Sequence, residues 1–364
     1  MTKTIAISGG HHTSALVVAQ HLQHQGHKII WFGHKHSLTN DISISAEYKE
    51  VTQSHIPFIN LTAPKFFNTN LFHYSLRLTR TLWRFWPIWR RFKPDIFLGF
   101  GGYLMVPCAI FATFTRTPFF IHEQTQIAGR ANYYLSPLTI KIFVSWPIQY
   151  PYPKSKTVFT GLPLRKEFLT LLNKPSFYPP LISNSLPTLF ITAGKQGSHF
   201  INQLVKPLIP KLLNSFNIIH QTGQSQITKD YIYFKKLQKQ LLTQHLRGIY
   251  LAFPYLNAFQ MMQAYKQASL IISRSGAHTT YELALLGKPA ILIPAPFVPR
   301  QEQIKNARFL STHHLATILP QNQATPNKLS KLIHQITQNH LQTKPLKLPL
   351  NATDQIIQHI NTYL

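Results

Sequence analysis

Ser269-Leu270-Ile271-Ile272-Ser273-Arg274-Ser275-Gly276-Ala277-His278-Thr279-Thr280-Tyr281-Glu282 reads as a strand, a glycine turn and a helix start in direct succession. The apolar run 269–273 is too short for a helix, and the glycine that follows punctuates it. A helix that begins where a strand has just ended offers backbone amides and a partial positive charge to an anion. On this reading Ser275 caps the helix and the amides of residues 276–278 hold a diphosphate. Glu282, over a turn further on, then accepts from both hydroxyls of a ribose. The plain alternative is an ordinary capped helix carrying a solvated glutamate.

The same rhythm continues outward in both directions. Short β-branched or aromatic runs predict strands at 4–8, 28–33, 57–62, 95–100, 117–122, 140–145 and 157–160. A second series falls at 188–193, 217–221, 248–253, 269–273, 290–293 and 315–318, with helical patterns filling the gaps. Strands that alternate with helices predict parallel sheets with crossover connections, an α/β fold of two doubly wound, Rossmann-like domains. Three further glycine turns follow predicted strands: Gly9-Gly10-His11-His12-Thr13, Gly99-Phe100-Gly101-Gly102-Tyr103 and Ala193-Gly194-Lys195-Gln196-Gly197. Glycine lets backbone approach a ligand closely, though it also merely ends strands. Trp146–Pro153 and Lys174–Pro187, rich in proline, read as connectors. The expected domains are 1–160 and 161–345, with a last helix, 350–364, returning to the first. Two such sheets are expected to face a central cleft at the carboxyl ends of their strands.

The chain has 364 residues, with 37 Lys and Arg against 10 Asp and Glu, a net charge of +27. Such a field attracts polyanions, so nucleic acid and anionic lipid are both weighed. No helix-turn-helix, zinc-ligand cluster or RNA-binding aromatic motif accompanies the charge, and no nucleic-acid partner is expected. A single cysteine, Cys108, excludes an internal disulfide framework. No signal peptide is read at the N-terminus. The longest apolar run, Tyr103–Phe114, falls short of the roughly 20 residues that span a bilayer. With so few acids, no pair of aspartates stands one residue apart, so the chain lacks an acidic dyad for a divalent ion. No metal site or cofactor is expected.

Two groups are candidates for proton transfer. His11 follows two glycines at the first strand-to-helix turn, where an imidazole can take a proton from an attacking hydroxyl. Most of the 19 histidines are surface or capping residues, and its position alone singles it out. Glu123, in His122-Glu123-Gln124 at the end of another strand, is the carboxylate rival.

Several of these stretches resemble, in order and spacing, the motifs of the MurG family. They are Gly99–Tyr103, His122-Glu123-Gln124 with Ala128-Gly129, Gly161-Leu162-Pro163-Leu164-Arg165, Gln196-Gly197, His220-Gln221-Thr222-Gly223, Arg274–Glu282, and Gln303 with Asn306-Ala307. The resemblance covers nearly the whole chain and is most specific over 269–309. It implies a GT-B fold and a metal-independent, inverting transfer of N-acetylglucosamine from UDP-GlcNAc to undecaprenyl-pyrophosphoryl-MurNAc-pentapeptide (lipid I), giving lipid II. It makes Glu282 the ribose ligand and the helix start Ser275, Gly276, Ala277, His278 the diphosphate cradle, with Arg274 also among the donor-binding residues. Arg165 is placed near the nucleotide, Gln303 with Glu302 at the sugar hydroxyls, and Tyr255 and Leu256 at the uracil. His11 is placed at the acceptor hydroxyl, and Gly9, Gly10, His12, Thr13, Gly101, Gly102, Tyr103 and Thr125 around the acceptor. The sequence departs from the family in a shortened first loop, in Ser14 for a proline, Leu162 and Thr125 for asparagines, and Lys195 for a serine, where lysine would pair with a phosphate. Asn257–Gln260 reads as a short insertion.

Residues 71–93 combine arginine with tryptophan. At about 100° per residue Arg77, Arg80 and Arg84 share one face, while Leu78, Leu82, Trp83, Trp86 and Trp89 spread over the opposite side. Pro87 is expected to kink or end the helix. This predicts an interfacial helix on the anionic inner leaflet of the cell membrane, with a core helix as the plain alternative. Two other functions stay open: a GT-B transferase for another UDP-sugar or lipid acceptor, and a basic nucleic-acid-binding protein.

Overall fold

The computed structural model describes residues 2–36, 44–64, 70–194, 196–225, 227–338 and 343–364. It divides into two compact units, 1–165 with 349–364, and 166–348. In chain order the first unit contains β1 (Thr4–Ser8), α1 (His12–His24), β2 (Lys28–Gly33), α2 (Ala46–Gln53), β3 (Phe58–Asn60) and α3 (Leu71–Phe92). It continues with β4 (Ile96–Gly99), α4 (Met105–Phe114), β5 (Phe119–Glu123), α5 (Arg130–Leu135), β6 (Lys141–Val144) and β7 (Thr157–Phe159). The second begins with α6 (Lys166–Asn173), β8 (Thr188–Thr192), α7 (His199–Val205), α8 (Ile209–Leu212), β9 (Asn217–Gln221), α9 (Asp230–Leu242) and β10 (Tyr250–Phe253). It ends with α10 (Ala258–Gln267), β11 (Ala268–Ser273), α11 (Ala277–Leu286), β12 (Ala290–Leu292), α12 (Glu302–Thr312), β13 (Ala316–Ile318) and α13 (Pro326–Gln338). A final helix, α14 (Ala352–Asn361), belongs to the first unit.

The strands form two sheets, ordered β3-β2-β1-β4-β5-β6-β7 and β10-β9-β8-β11-β12-β13, and every pairing is parallel. Among the described residues these are the thirteen strands read from the sequence, each ending within two residues of its expected limits. Sheets covered on both faces bury both sides of a strand, which explains the continuous apolar runs. Side chains alternate across the first sheet: Ala6, Phe32, Phe97 and Ile121 join one core with Phe85 and Trp89 of α3 and Met105 of α4. Ile5, Ile7, Trp31 and Phe120 join the other, closed by Val18 and Leu22 of α1 and by Ile356, Ile357 and Ile360 of α14. The units meet in sequence at 165/166 rather than 160/161. Gly161 N donates to Val144 O, and Leu162 and Leu164 are buried, so the stretch after β7 is held by the first unit.

The order places a topological switch at β1/β4 in the first sheet and at β8/β11 in the second, because β1 and β8 each lie beside both neighbours. The four glycine turns leave the carboxyl ends of these four strands, where open α/β sheets bind ligands.

Helix α3 departs from expectation twice. It runs unbroken through Pro87, which lies on its exposed side, because packing outweighs the hydrogen bond that proline removes. The tryptophans also separate. Trp89 is 2% exposed and sits in the core, and Trp86 is half-buried against Phe111 and Phe114. Only Trp83, 82% exposed, faces solvent, on the arginine side rather than opposite to it.

Candidate active site

In the first unit the loops after β1 and β4 are stitched together. Phe100 N donates to Ser8 O at 2.7 Å and Gly10 N to Gly101 O at 3.0 Å. A Cβ on Gly102 would stand 2.9 Å from Gly10 N, so glycine is required where the two backbones cross. His11 is the N-cap of α1, and its side chain makes no capping bond. Its ring lies over Gly101, whose built Cβ would meet Cδ2 at 3.2 Å and Nε2 at 3.5 Å. Burial lowers its pKa, the Glu123 charge partly opposes this and His12 adds to it. The imidazole is therefore neutral near pH 7, the state a proton acceptor needs.

Glu123 is arranged as a bracket, not as a base. It is 1% exposed, and its Oε2 accepts from Gly129 N at 2.7 Å, Asn132 Nδ2 at 2.8 Å and the Tyr152 hydroxyl at 2.8 Å. Oε1 accepts from Thr125 N at 3.2 Å and Thr125 Oγ1 at 2.9 Å. Thr125 is thus turned inward and buried rather than offered to an acceptor. Trp146–Pro153, read as a connector, holds this corner. Trp146 Nε1 donates to Gln124 O, and the Tyr150 hydroxyl donates to Thr125 O. Ser14, standing for the family's proline, donates to Gln124 Oε1 at 3.2 Å. His122, buried with its Nε2 near Gly161 O and Ser145 Oγ, has its pKa pushed down to about 3 by burial and serves the core.

Gly9 backs onto Phe100. His12 Nε2 lies 3.3 Å from Glu50 Oε2, which turns it toward α2, and Thr13 is half-buried in the first turn of α1. The Tyr103 ring lies 6.0 Å from that of His34, with its pKa raised by burial and then by Glu47. Arg165, half-buried, is the last residue of the unit before the division.

In the second unit the loops after β8 and β9 cross closely. A Cβ on Gly197 would run into Thr222 O and one on Gly223 into Gln196 O, and both glycines have positive φ, 73° and 93°. Gln221 Nε2 donates to Gly194 O at 2.7 Å, and its Oε1 is buried with no partner among the described residues. Lys195 lies outside the described residues, and Gln196 beside it is exposed.

The turn after β11 corrects the expected cap by one residue. Gly276 is the N-cap of α11, so the amides that leave the helix end begin at Ala277, followed by His278. Ser275, fully buried, donates instead to Gln303 O at 2.7 Å, and Asn306 Nδ2 donates to Ser275 O. Arg274 is a strut: Nη1 donates to Ile293 O and Nη2 to Ser198 Oγ, each at 2.9 Å, with burial lowering its pKa. Glu282 is 3% exposed, which removes the solvated-glutamate alternative. The Gln303 carboxamide is oriented by accepting from Ala295 N at 2.9 Å. Glu302 opens α12 behind two left-handed residues, Arg300 and Gln301. Leu256 is buried and Tyr255 is 36% exposed. Asn257 and Gln260, at the two ends of the stretch read as a short insertion, form the capping box of α10.

Sequence reasoning missed the Asn132, Tyr150 and Tyr152 bracket, and a second network in the other unit. Asp230, 5% exposed, accepts from His199 Nδ1 at 2.9 Å, Asn202 Nδ2 at 2.9 Å and Gln203 Nε2 at 3.3 Å. Asn202 Oδ1 meets His220 Nε2 at 3.0 Å, and His220 Nδ1 meets the Tyr250 hydroxyl at 3.0 Å. Proline-flanked aromatics just after a polar strand end were the available signal for the first. The second has no local signal.

Residues 7–144 match the glycosyltransferase family 28 N-terminal domain and residues 188–360 its C-terminal domain. A UDP-N-acetylglucosamine–N-acetylmuramyl-(pentapeptide) pyrophosphoryl-undecaprenol N-acetylglucosamine transferase of Nitrosomonas eutropha is 29% identical over 98% of this chain and 96% of its own. The transferase of the same name from Trichlorobacter lovleyi is 35% identical over 69% of this chain and 68% of its own. The crystal structure of Acinetobacter baumannii MurG, 24% identical, shares the fold with a TM-score of 0.74 over 99% of each chain.

Proposed function

The chain belongs to the MurG family of glycosyltransferases, and on that footing we propose that it moves N-acetylglucosamine from UDP-N-acetylglucosamine to undecaprenyl-pyrophosphoryl-MurNAc-pentapeptide. One observation carries the donor half: the start of α11 stands at the β8/β11 switch with the buried Glu282 in its second turn. The amides from Ala277 onward suit a diphosphate and Glu282 suits ribose hydroxyls.

The acceptor half rests on His11. The acceptor hydroxyl attacks the anomeric carbon, its proton passes to the neutral imidazole, and the bond to UDP breaks with the electron pair leaving on the diphosphate. The helix start of α11 stabilises that departing charge. In this reading no divalent ion takes part, and turnover is unchanged by chelator. Glu302 and Gln303 select the sugar. Competition among UDP-GlcNAc, UDP-GalNAc and UDP-glucose tests this directly. UDP-GlcNAc should be used at least tenfold better, as hydrogen-bond discrimination at buried groups supports, and equal use of UDP-glucose would move the protein to another sugar.

The acceptor's lipid requires the enzyme to work at the membrane. No helix among the described residues is long and apolar enough to cross it. The outward face of α3 carries Phe72, Leu76 and Trp83, 69%, 61% and 82% exposed, beside exposed Arg77, Arg80 and Arg84. Phe114 at the end of α4 is 77% exposed and lies against Trp86. Arginines at headgroups and aromatic rings at the acyl boundary fit peripheral binding to the anionic inner leaflet.

A further inference from the structure

Tyr265, on α10, donates its hydroxyl to Glu282 Oε2 at 2.8 Å, and both residues are buried, 2% and 3% exposed. The tyrosine is itself held in place. Its ring meets Phe190 of β8 at 5.6 Å and Phe168 of α6 at 6.3 Å, both edge to face. The helix that carries it is fixed at its start by the Asn257–Gln260 capping box and runs directly into β11. A buried carboxylate demands donors, and a carboxylate with one hydrogen bond from a rigid partner has lost the freedom to rotate about its last torsion. A carboxylate offers about four lone-pair sites, so it can accept from the tyrosine and from other donors together.

We infer that Tyr265 is a positioning residue for the donor, setting the plane of the Glu282 carboxylate and with it the protein's preference for nucleotides that bear a full ribose. This rests on the reading of Glu282 as the ribose ligand. On this inference Tyr265 acts through Glu282 on the ribose, while the diphosphate meets the start of α11.

The test is calorimetric binding of UDP and of 2′-deoxy-UDP to the full-length wild type and to Glu282→Ala, Tyr265→Phe and Tyr265→Met. The ratio of the two affinities is internal to each variant, so a smaller folded fraction cancels. Glu282→Ala should abolish the wild-type preference for UDP. Tyr265→Phe and Tyr265→Met should cut it at least about threefold, the size of one ordinary hydrogen bond, while affinity for 2′-deoxy-UDP stays within about twofold. A wild-type preference in both tyrosine variants, with Glu282→Ala still losing it, overturns the positioning role alone. Retention of the preference in Glu282→Ala overturns the ribose assignment, and the role of Tyr265 with it.

Discussion

In the proposed reaction the chemistry turns on two residues, His11 and Glu282, and each has a separable signature. His11→Ala should lower turnover by roughly 10²–10⁴-fold, the usual contribution of a general base. UDP binding should not change, because the proposal assigns the nucleotide to the start of α11 and Glu282. Burial depresses the His11 pKa below the ordinary 6.5. The neutral, proton-accepting form therefore persists below that pH, and the acid limb of kcat/KM should fall below pH 6.5. A limb at or above 6.5 would assign the proton to another group. Glu123→Gln keeps a similar shape but replaces a charge that five donors surround. It should cost stability, about 1.5–3 kcal/mol for a buried donor left without its charged acceptor, and a variant that melts like wild type would show that the bracket carries little. Glu282→Ala removes charge-assisted bonds worth roughly 1.5–3 kcal/mol each, so UDP affinity should fall at least about tenfold.

At the scale of the element, α14 and α3 show what local pattern reveals and what it leaves out. Ile356, Ile357 and Ile360 lie on one face of α14 and close a core of the first unit. Ile360→Ala should cost about 2–5 kcal/mol, measured by denaturant unfolding, whereas an effect under ~0.5 kcal/mol would mean that the helix is only loosely attached. In α3 the sequence marks an arginine-rich amphipathic segment, yet periodicity alone put Trp83 opposite the arginines. The structure buries Trp89 and exposes Trp83, a distinction decided by the neighbouring Phe97 and Phe111 rather than by anything within the helix. Arg77, Arg80 and Arg84 replaced by Gln should weaken binding to phosphatidylglycerol vesicles, since each basic residue contributes about 1 kcal/mol near an anionic surface. Unchanged co-sedimentation would return α3 to a purely structural role. The strands were legible because buried parallel strands are apolar runs ended by glycine, as at Ile271-Ile272 and Gly276. The bond from Tyr152 to Glu123, spanning 29 residues, was not, because a hydrogen bond between distant side chains leaves no periodic trace.

At the scale of the whole molecule, both units bury histidines, among them His122 in the first and His220 in the second, whose pKa values burial pushes down to about 3. Below about pH 6.5 the unfolded chain binds protons that the folded chain refuses, so stability falls as pH drops from there toward about 3. Thermal unfolding at pH 7.5 and pH 5 should show the loss. An unchanged midpoint would mean that other titrations offset it. The net charge of +27 acts at the same scale and supports the proposed peripheral binding to an anionic surface. The proposed function assigns the acceptor's proton to the neutral His11 of the first unit and the donor to the helix start and Glu282 of the second. The decisive measurement is turnover of UDP-GlcNAc with lipid I in anionic vesicles, scored as UDP released and as GlcNAc gained by the lipid fraction. Equal amounts of UDP and glycosylated lipid, both dependent on lipid I and lost in His11→Ala, are the predicted result. A folded protein that binds UDP yet transfers no GlcNAc to lipid I would contradict the account.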